Sequence, residues 1–96
     1  MSLPIVWKPR AARQAAEAQR WWRENRPGAP LLLRQEIARA TALIAEMPSS
    51  GVEVRGRDAR RVPLEESGYI LFYRVRPHAR RIEIIAFVHG SRRTLL

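Results

Sequence analysis

Two apolar runs near the C-terminus constrain the fold of this chain more than any other feature. Residues 69–76 and 82–89 are rich in β-branched and aromatic side chains, and a short basic connection containing Pro77 separates them. This pattern predicts a β-hairpin. Residues 60–64, which alternate charged and apolar side chains, are predicted to add a strand, so the C-terminal part is expected to be a three-stranded antiparallel meander.

The sequence before this meander predicts a short strand and two helices. Residues 3–7 are an apolar strand candidate, and Pro9 follows at a position that suits the first turn of a helix. Alanine and tryptophan recur at helical spacing over residues 10–25, and apolar residues recur at spacings of four and three over residues 33–47. We therefore expect an α+β fold in which a helical hairpin packs on one face of an antiparallel sheet. Residues 49–59 are predicted to be a loop, with an extended edge segment as the alternative.

Composition limits the classes of protein to which the chain can belong. Its 96 residues are 46% hydrophobic, so we expect residues 1–96 to form a single domain with one core. Cysteine is absent and only two histidines occur, so we expect no disulfide, no metal site and no cofactor. Because no leader and no apolar run of membrane-spanning length is found, we expect a cytoplasmic protein that does not insert into a membrane.

The balance of charge is strongly basic. The sequence has 18 basic and 9 acidic side chains, a formal net charge of +9, and every basic residue except Lys8 is arginine. Planar guanidinium groups suit phosphates and carboxylates. The expected partner is therefore a polyanion or a strongly acidic protein, and the alternative is that the arginines form only a solvated surface.

One face of the predicted sheet is expected to lack a covering layer, because two helices cover only one face. Strict alternation along the hairpin strands places apolar residues in the middle of that face and basic residues around them. An exposed apolar surface of this kind usually binds a partner, and Trp21 is either a half-buried residue or part of another such patch. The expected apolar positions are Ile70, Phe72, Ile85 and Phe87, and the expected basic rim is Arg61, Arg74, His89, Arg92 and Arg93.

Several short motifs recur in the same order in one known family. They include an opening strand that ends near Trp7, an alanine-rich helix, a second helix that ends at Met47, and the closing segment of Val88, His89 and Gly90 followed by Arg92. In these features, over nearly its whole length, the chain resembles the RelE/ParE superfamily of toxins from bacterial toxin-antitoxin pairs. The resemblance implies a small α+β toxin that is neutralised by a cognate antitoxin wrapped around its surface.

The superfamily contains two activities, and the resemblance implies different residues for each. The ribosome-dependent ribonuclease branch cleaves messenger RNA with basic side chains on the open sheet face and a C-terminal tyrosine. Matched by position, this chain keeps Arg61 and Arg92, has Pro63 and Ile70 where that branch has basic residues, and lacks the tyrosine. In a ribonuclease, Arg61 and Arg92 would hold the phosphate and His89 would act as acid or base. The alternative for His89 is a structural role at the strand end.

The ParE-like branch resembles this chain more closely, because it shares the closing Val-His-Gly-x-Arg pattern without the full ribonuclease set. Its members poison DNA gyrase by binding, so the resemblance implies gyrase as the target. The implied target-binding residues are Arg61, Arg74, His89, Arg92 and Arg93, and the implied antitoxin-binding residues are Trp21, Ile70, Phe72, Ile85 and Phe87. Two alternatives are a RelE-like endoribonuclease, with ribosome and messenger RNA as partners, and a small basic nucleic-acid-binding module.

Overall fold

The computed structural model describes residues 2–91, which form two helices and five strands. The elements in chain order are β1 (Ile5–Trp7), α1 (Pro9–Asn25), α2 (Leu32–Glu46), β2 (Val52–Glu53), β3 (Arg60–Pro63), β4 (Tyr69–Arg76) and β5 (Arg81–His89). The strands make one sheet in the order β1-β5-β4-β3-β2. The predicted α+β architecture, with a helical hairpin on an antiparallel meander, is confirmed.

Small side chains let α1 pack closely on the sheet. Pro9 begins the helix, where its fixed φ is favourable and its missing N–H leaves no hydrogen bond unmade. The buried stripe of α1 is Ala11, Ala15, Ala18 and Trp22, and α2 adds Leu33, Ala40 and Ile44 to the same core. The indole Nε1 of Trp22 donates a hydrogen bond to the carbonyl of Ala29 at 2.8 Å, which holds the connection between the helices against α1. Within residues 2–91, neither helix is long and apolar enough to cross a membrane.

The two edge strands have partners that the sequence pattern does not reveal. In the structure, β1 runs parallel to β5, with Ile5 opposite Ile82 and Trp7 opposite Ile84. The extended edge segment that is the alternative to a loop for residues 49–59 is present as β2, where Val52 pairs antiparallel with Arg61 of β3. The central strands β3, β4 and β5 pair antiparallel, as the hairpin pattern predicts.

A β-bulge in β5 changes which side chains face the helices. Phe72 pairs with Ala86, but the next residue, Tyr73, pairs with Ile84, so Ile85 is an additional residue in β5. Because side chains alternate between the faces of a strand, one additional residue moves all the following side chains to the opposite face. Strict alternation along β5 therefore fails after Ile85.

The bulge turns Phe87 and His89 toward the helices. Phe87 pairs with Leu71, and His89 pairs with Tyr69, both on the face that α1 and α2 cover. The Phe87 side chain is only 1% exposed, and its ring stacks on that of Tyr69 with centroids 5.2 Å apart. The expectation that Phe87 and His89 lie on the open face is wrong, because it assumed unbroken alternation.

Candidate functional site

The face of the sheet opposite the helices is partly covered by the chain itself. Phe72 is 1% exposed and lies in a small second core with Ala86 and Val88. Val54, from the connection between β2 and β3, packs against this cluster. The expectation of a bare apolar face is therefore wrong at Phe72. Ile70 and Ile85, which pack on the same cluster, are only half-buried.

A group of three arginines surrounds one carboxylate on this same face. We call Arg74, Arg76, Arg81 and Glu83 the arginine array; they lie at the end of the β4–β5 hairpin. Glu83 Oε1 accepts hydrogen bonds from the Nε atoms of Arg74 at 2.9 Å and Arg76 at 3.4 Å. Glu83 Oε2 accepts bonds from Arg81 Nε at 2.9 Å and Nη2 at 2.7 Å. The carboxylate of Glu83 is therefore buried, and the four hydrogen bonds that it accepts here all come from charged guanidinium groups.

These contacts predict that the protein loses part of its stability in acid. The hydrogen bonds from Arg81 and Arg74 hold the pKa of Glu83 at about 2, below its ordinary value of 4.5. A carboxylate with a lowered pKa contributes stability above its unfolded pKa and loses it as the pH falls toward its folded pKa. The free energy of unfolding should therefore fall between pH 4.5 and about 2 through this group.

The measurement is urea unfolding at a series of pH values, with Glu83→Gln as the test variant. Glutamine does not titrate, so this variant should be less stable than the parent near neutral pH and should show a flatter decline in acid. Glu17→Gln, at an exposed position of α1, is the matched control and should keep the parent profile. Identical pH profiles for the Glu83→Gln variant and the parent protein would contradict the role given to this carboxylate.

A groove of about 200 Å³ lies on the helix side of the sheet, where α1 meets the ends of β4 and β5. Its walls include Trp21, which is 46% exposed, and the aromatic residues Tyr69 and Phe87. His89 lies in the same wall, with its ring edge-on to Tyr69 at a centroid distance of 5.1 Å. The groove is therefore aromatic, open to solvent and separate from the arginine array.

The ring of His89 is fixed from two sides. Its Nδ1 accepts a hydrogen bond from the Ser91 backbone N–H at 3.2 Å and lies 2.8 Å from the Ser91 Oγ. Gly68 has a φ of +85°, and a Cβ atom at that position would lie 2.9 Å from His89 Nε2. Glycine is therefore required there both by the backbone conformation and by the close approach of the ring.

Two of the residues expected for RNA cleavage lie on opposite faces of the sheet. Arg61 pairs with Phe72 and shares its face, whereas His89 lies on the opposite, helix-covered face. Pro63 pairs directly with Ile70, so the two positions where the ribonuclease branch has basic residues form one apolar pair. The predicted site residues Arg92 and Arg93 lie outside the described residues. Within residues 2–91, no group of three His, Cys, Asp or Glu side chains is arranged to hold a metal ion.

Comparison with known proteins identifies the family. The profile described as "ParE toxin of type II toxin-antitoxin system, parDE" matches residues 5–94. The chain belongs to the ParE toxin family. It is thus a ParE-family toxin of a type II toxin-antitoxin system, and the sequence-based assignment to the ParE-like branch of the RelE/ParE superfamily is confirmed.

Solved structures show the same fold. The chromosomal ParDE system from P. aeruginosa gives a TM-score of 0.76 at 16% sequence identity, covering 94% of this chain and 98% of the other. The E. coli RelBE toxin-antitoxin complex gives 0.69 at 20% identity, covering 95% and 100%. A free-state mutant of E. coli RelE gives 0.61 at 18% identity, covering 95% and 86%. No curated protein matches the sequence.

The sequence pattern does not indicate two polar features of this ParE-family toxin. The first is the arginine array, whose only sequence signal is Glu83 inside an otherwise apolar strand. The second is Glu36, a buried residue of α2 whose carboxylate accepts the backbone N–H groups of Glu66 at 2.9 Å and Ser67 at 3.1 Å. Glu36 has no distinguishing sequence signal, because a single glutamate in a helix is usually solvated.

Proposed function

We propose that this ParE-family toxin inhibits DNA gyrase by binding it and that a cognate antitoxin neutralises the toxin. The observation that carries the proposal is the family match over residues 5–94. The ParE-like branch, which the closing segment of the chain resembles, acts on gyrase. The similar P. aeruginosa structure is that of a ParDE system, which supports an antitoxin as the second partner.

The geometry supports binding over RNA cleavage. Cleavage by a 2′-hydroxyl needs a proton acceptor and a charge-stabilising group within reach of one phosphate. Arg61 and His89, the candidates for these roles, lie on opposite faces of the sheet. The apolar pair of Pro63 and Ile70 supplies neither a charge nor a donor where the ribonuclease branch has basic side chains.

Two of the residues expected to contact the antitoxin are buried. Phe72 and Phe87 are each 1% exposed, so neither offers an apolar surface to a partner. Trp21 in the groove, together with Ile70 and Ile85 on the other face, keeps accessible apolar surface. We propose that an acidic, amphipathic antitoxin segment contacts these residues and pairs its carboxylates with Arg61 and other exposed arginines.

The decisive test adds the purified toxin to a gyrase supercoiling reaction and, separately, to translating ribosomes followed by primer extension. Supercoiling should be lost at toxin concentrations comparable to those of gyrase, and no new cuts should appear in the messenger RNA. Relaxation of the same plasmid by a type I topoisomerase should continue, which separates an effect on gyrase from general coating of the DNA. Intact supercoiling together with codon-placed cuts would favour the RelE-like ribonuclease instead.

A Phe87→Ala variant provides the matched negative control. It keeps the net charge of the chain but removes a fully buried ring, which should lower its stability by about 3–5 kcal/mol. It is assayed at a temperature at which circular dichroism shows this variant, but not the parent protein, to be unfolded. If inhibition of gyrase requires the folded surface, this variant should leave supercoiling intact. Equal inhibition by both proteins would show that positive charge alone is responsible and would contradict specific binding.

A further inference from the structure

The arginine array carries more positive charge than Glu83 needs. One carboxylate, with a side chain only 3% exposed, faces three guanidinium groups whose side chains are 29%, 42% and 43% exposed for Arg74, Arg76 and Arg81. One guanidinium group already balances the charge of one carboxylate, so the array keeps a net charge of about +2. The remaining charge is therefore presented to solvent at the end of the β4–β5 hairpin.

The way in which the arginines hold Glu83 leaves donors unused. Arg74 and Arg76 reach the carboxylate through Nε, and within residues 2–91 their Nη atoms have no hydrogen-bond partner. Glu83 thus holds the two side chains through their Nε atoms, and their Nη atoms remain available to another hydrogen-bond acceptor. Guanidinium groups held in place in this manner bind phosphate oxygens with little further loss of side-chain entropy.

We propose that the arginine array binds the backbone phosphates of double-stranded DNA without preference for base sequence. Arg74 also lines a cavity of about 260 Å³ together with Arg10 of α1, Arg57 and Asp58, so a surface with a positive net charge extends beyond the array. Contacts to phosphates need charge and donors but no base-reading side chains, which matches what this end of the sheet offers. The inference does not depend on gyrase being the target of the toxin.

The surroundings of the array favour a duplex over the other polyanions. Protein interfaces centre on buried aromatic or apolar anchors. The accessible apolar side chains beside the array include Val6, opposite Glu83, and the half-buried Ile85, which lines a cavity with Arg74, and both are aliphatic. Single-stranded nucleic acids bind by stacking bases on aromatic rings. The only exposed Phe, Tyr or Trp in the described part of the chain is Trp21, which lies on the helix side.

The test is fluorescence anisotropy of a labelled random-sequence DNA duplex titrated with toxin at several salt concentrations. The parent protein should bind with an affinity whose logarithm falls linearly with the logarithm of salt concentration. The double variant Arg76→Gln/Arg81→Gln should bind about tenfold more weakly at low salt, and its salt slope should be smaller by about 2. Glu83 keeps its 2.9 Å contact with Arg74 in this variant, and circular dichroism verifies that it is folded.

The matched control is Arg20→Gln/Arg23→Gln, which removes the same charge from exposed positions of α1. It should change the salt slope by less than half as much, and equal effects of the two double variants would overturn the proposal. A second variant, Arg76→Lys/Arg81→Lys, keeps the charge but loses the planar donors. It should keep the parent salt slope with an affinity between those of the parent and the glutamine variant, and an affinity equal to that of the parent would contradict the role given to the planar donors.

Two further probes decide between partners. Labelled polyglutamate and a labelled single-stranded oligonucleotide are titrated with the parent protein and with Arg76→Gln/Arg81→Gln. The proposal is supported when the duplex is the tightest ligand and loses the most affinity in the variant. Loss of polyglutamate binding with unchanged duplex binding would assign the array to an acidic protein, and tighter array-dependent binding of the single strand would assign it to unpaired nucleic acid. Either result overturns the proposal, whatever the outcome of the supercoiling assay.

Discussion

Replacing Phe87 with alanine is expected to lower the free energy of unfolding by about 3–5 kcal/mol. The ring is 1% exposed, stacks on Tyr69 and lies edge-on to Trp7 at a centroid distance of 6.3 Å. Its removal leaves a cavity in the core between α1 and the sheet. Because small domains are stable by only about 5–15 kcal/mol, this single change should remove a large fraction of the stability of the protein. Urea unfolding followed by circular dichroism measures the loss.

Val52→Ala is the matched control for Phe87→Ala. Val52 belongs to the edge strand β2 and is 54% exposed, so its truncation should change stability by less than about 0.5 kcal/mol. A Phe87→Ala protein as stable as the Val52→Ala protein would show that Phe87 is not in the core.

Replacing Glu36 with alanine is expected to lower the free energy of unfolding by about 2–5 kcal/mol. The carboxylate of this buried residue accepts two backbone N–H groups, those of Glu66 and Ser67, in the turn between β3 and β4. Alanine leaves both donors without an acceptor, which costs about 1–3 kcal/mol for the buried N–H of Ser67 and less for the partly buried N–H of Glu66. The same unfolding experiment measures the loss.

Two substitutions sharpen the Glu36 prediction. Glu36→Gln keeps one acceptor oxygen and should recover about half of the lost stability. Glu17→Ala, at an exposed position of α1, should be close to neutral. Since the turn held by Glu36 ends at Gly68, against which the His89 ring packs, the ring signals of His89 in NMR spectra should shift in Glu36→Ala and not in Glu17→Ala. Stability of Glu36→Ala within about 0.5 kcal/mol of the control would contradict the role of Glu36.

Periodicity was sufficient to predict the helices and the meander. Apolar spacing of four and three located α2, and the runs that became β4 and β5 were recognisable because each is long, β-branched and bounded by turn residues. The RelE/ParE resemblance followed from motif order and is confirmed by the family match. These features are local, so a single sequence contains them.

The bulge at Ile85 could not be predicted from the pattern. Five apolar residues in succession, from Ile84 to Val88, fit either face of a strand, so alternation does not identify the additional residue. The bulge also affects the candidate site, because unbroken alternation along β5 places both Phe87 and His89 on the wrong face of the sheet. Arg61 and Arg74 were assigned correctly, since β3 and β4 follow simple alternation at these positions.

Long-range contacts account for the other missing features. Val54 lies in a segment predicted to be a loop, and nothing in its neighbourhood indicates that it packs on Phe72. The arginine array depends on the register between β4 and β5, which sets Arg74 opposite Glu83 and Arg76 opposite Arg81. Register is fixed by the turn and by packing, and neither is visible in residue types alone.

The parallel pairing of β1 with β5 determines when, during synthesis, the sheet of this toxin can form. Ile5 and Trp7 have their hydrogen-bonding partners in the last strand of the sheet, near Ile82 and Ile84. During synthesis, the first strand therefore emerges from the ribosome with no neighbour to receive it, and contacts between such distant residues form late. A nascent chain therefore cannot assemble this sheet until β5 has left the ribosome, although β1 emerges first.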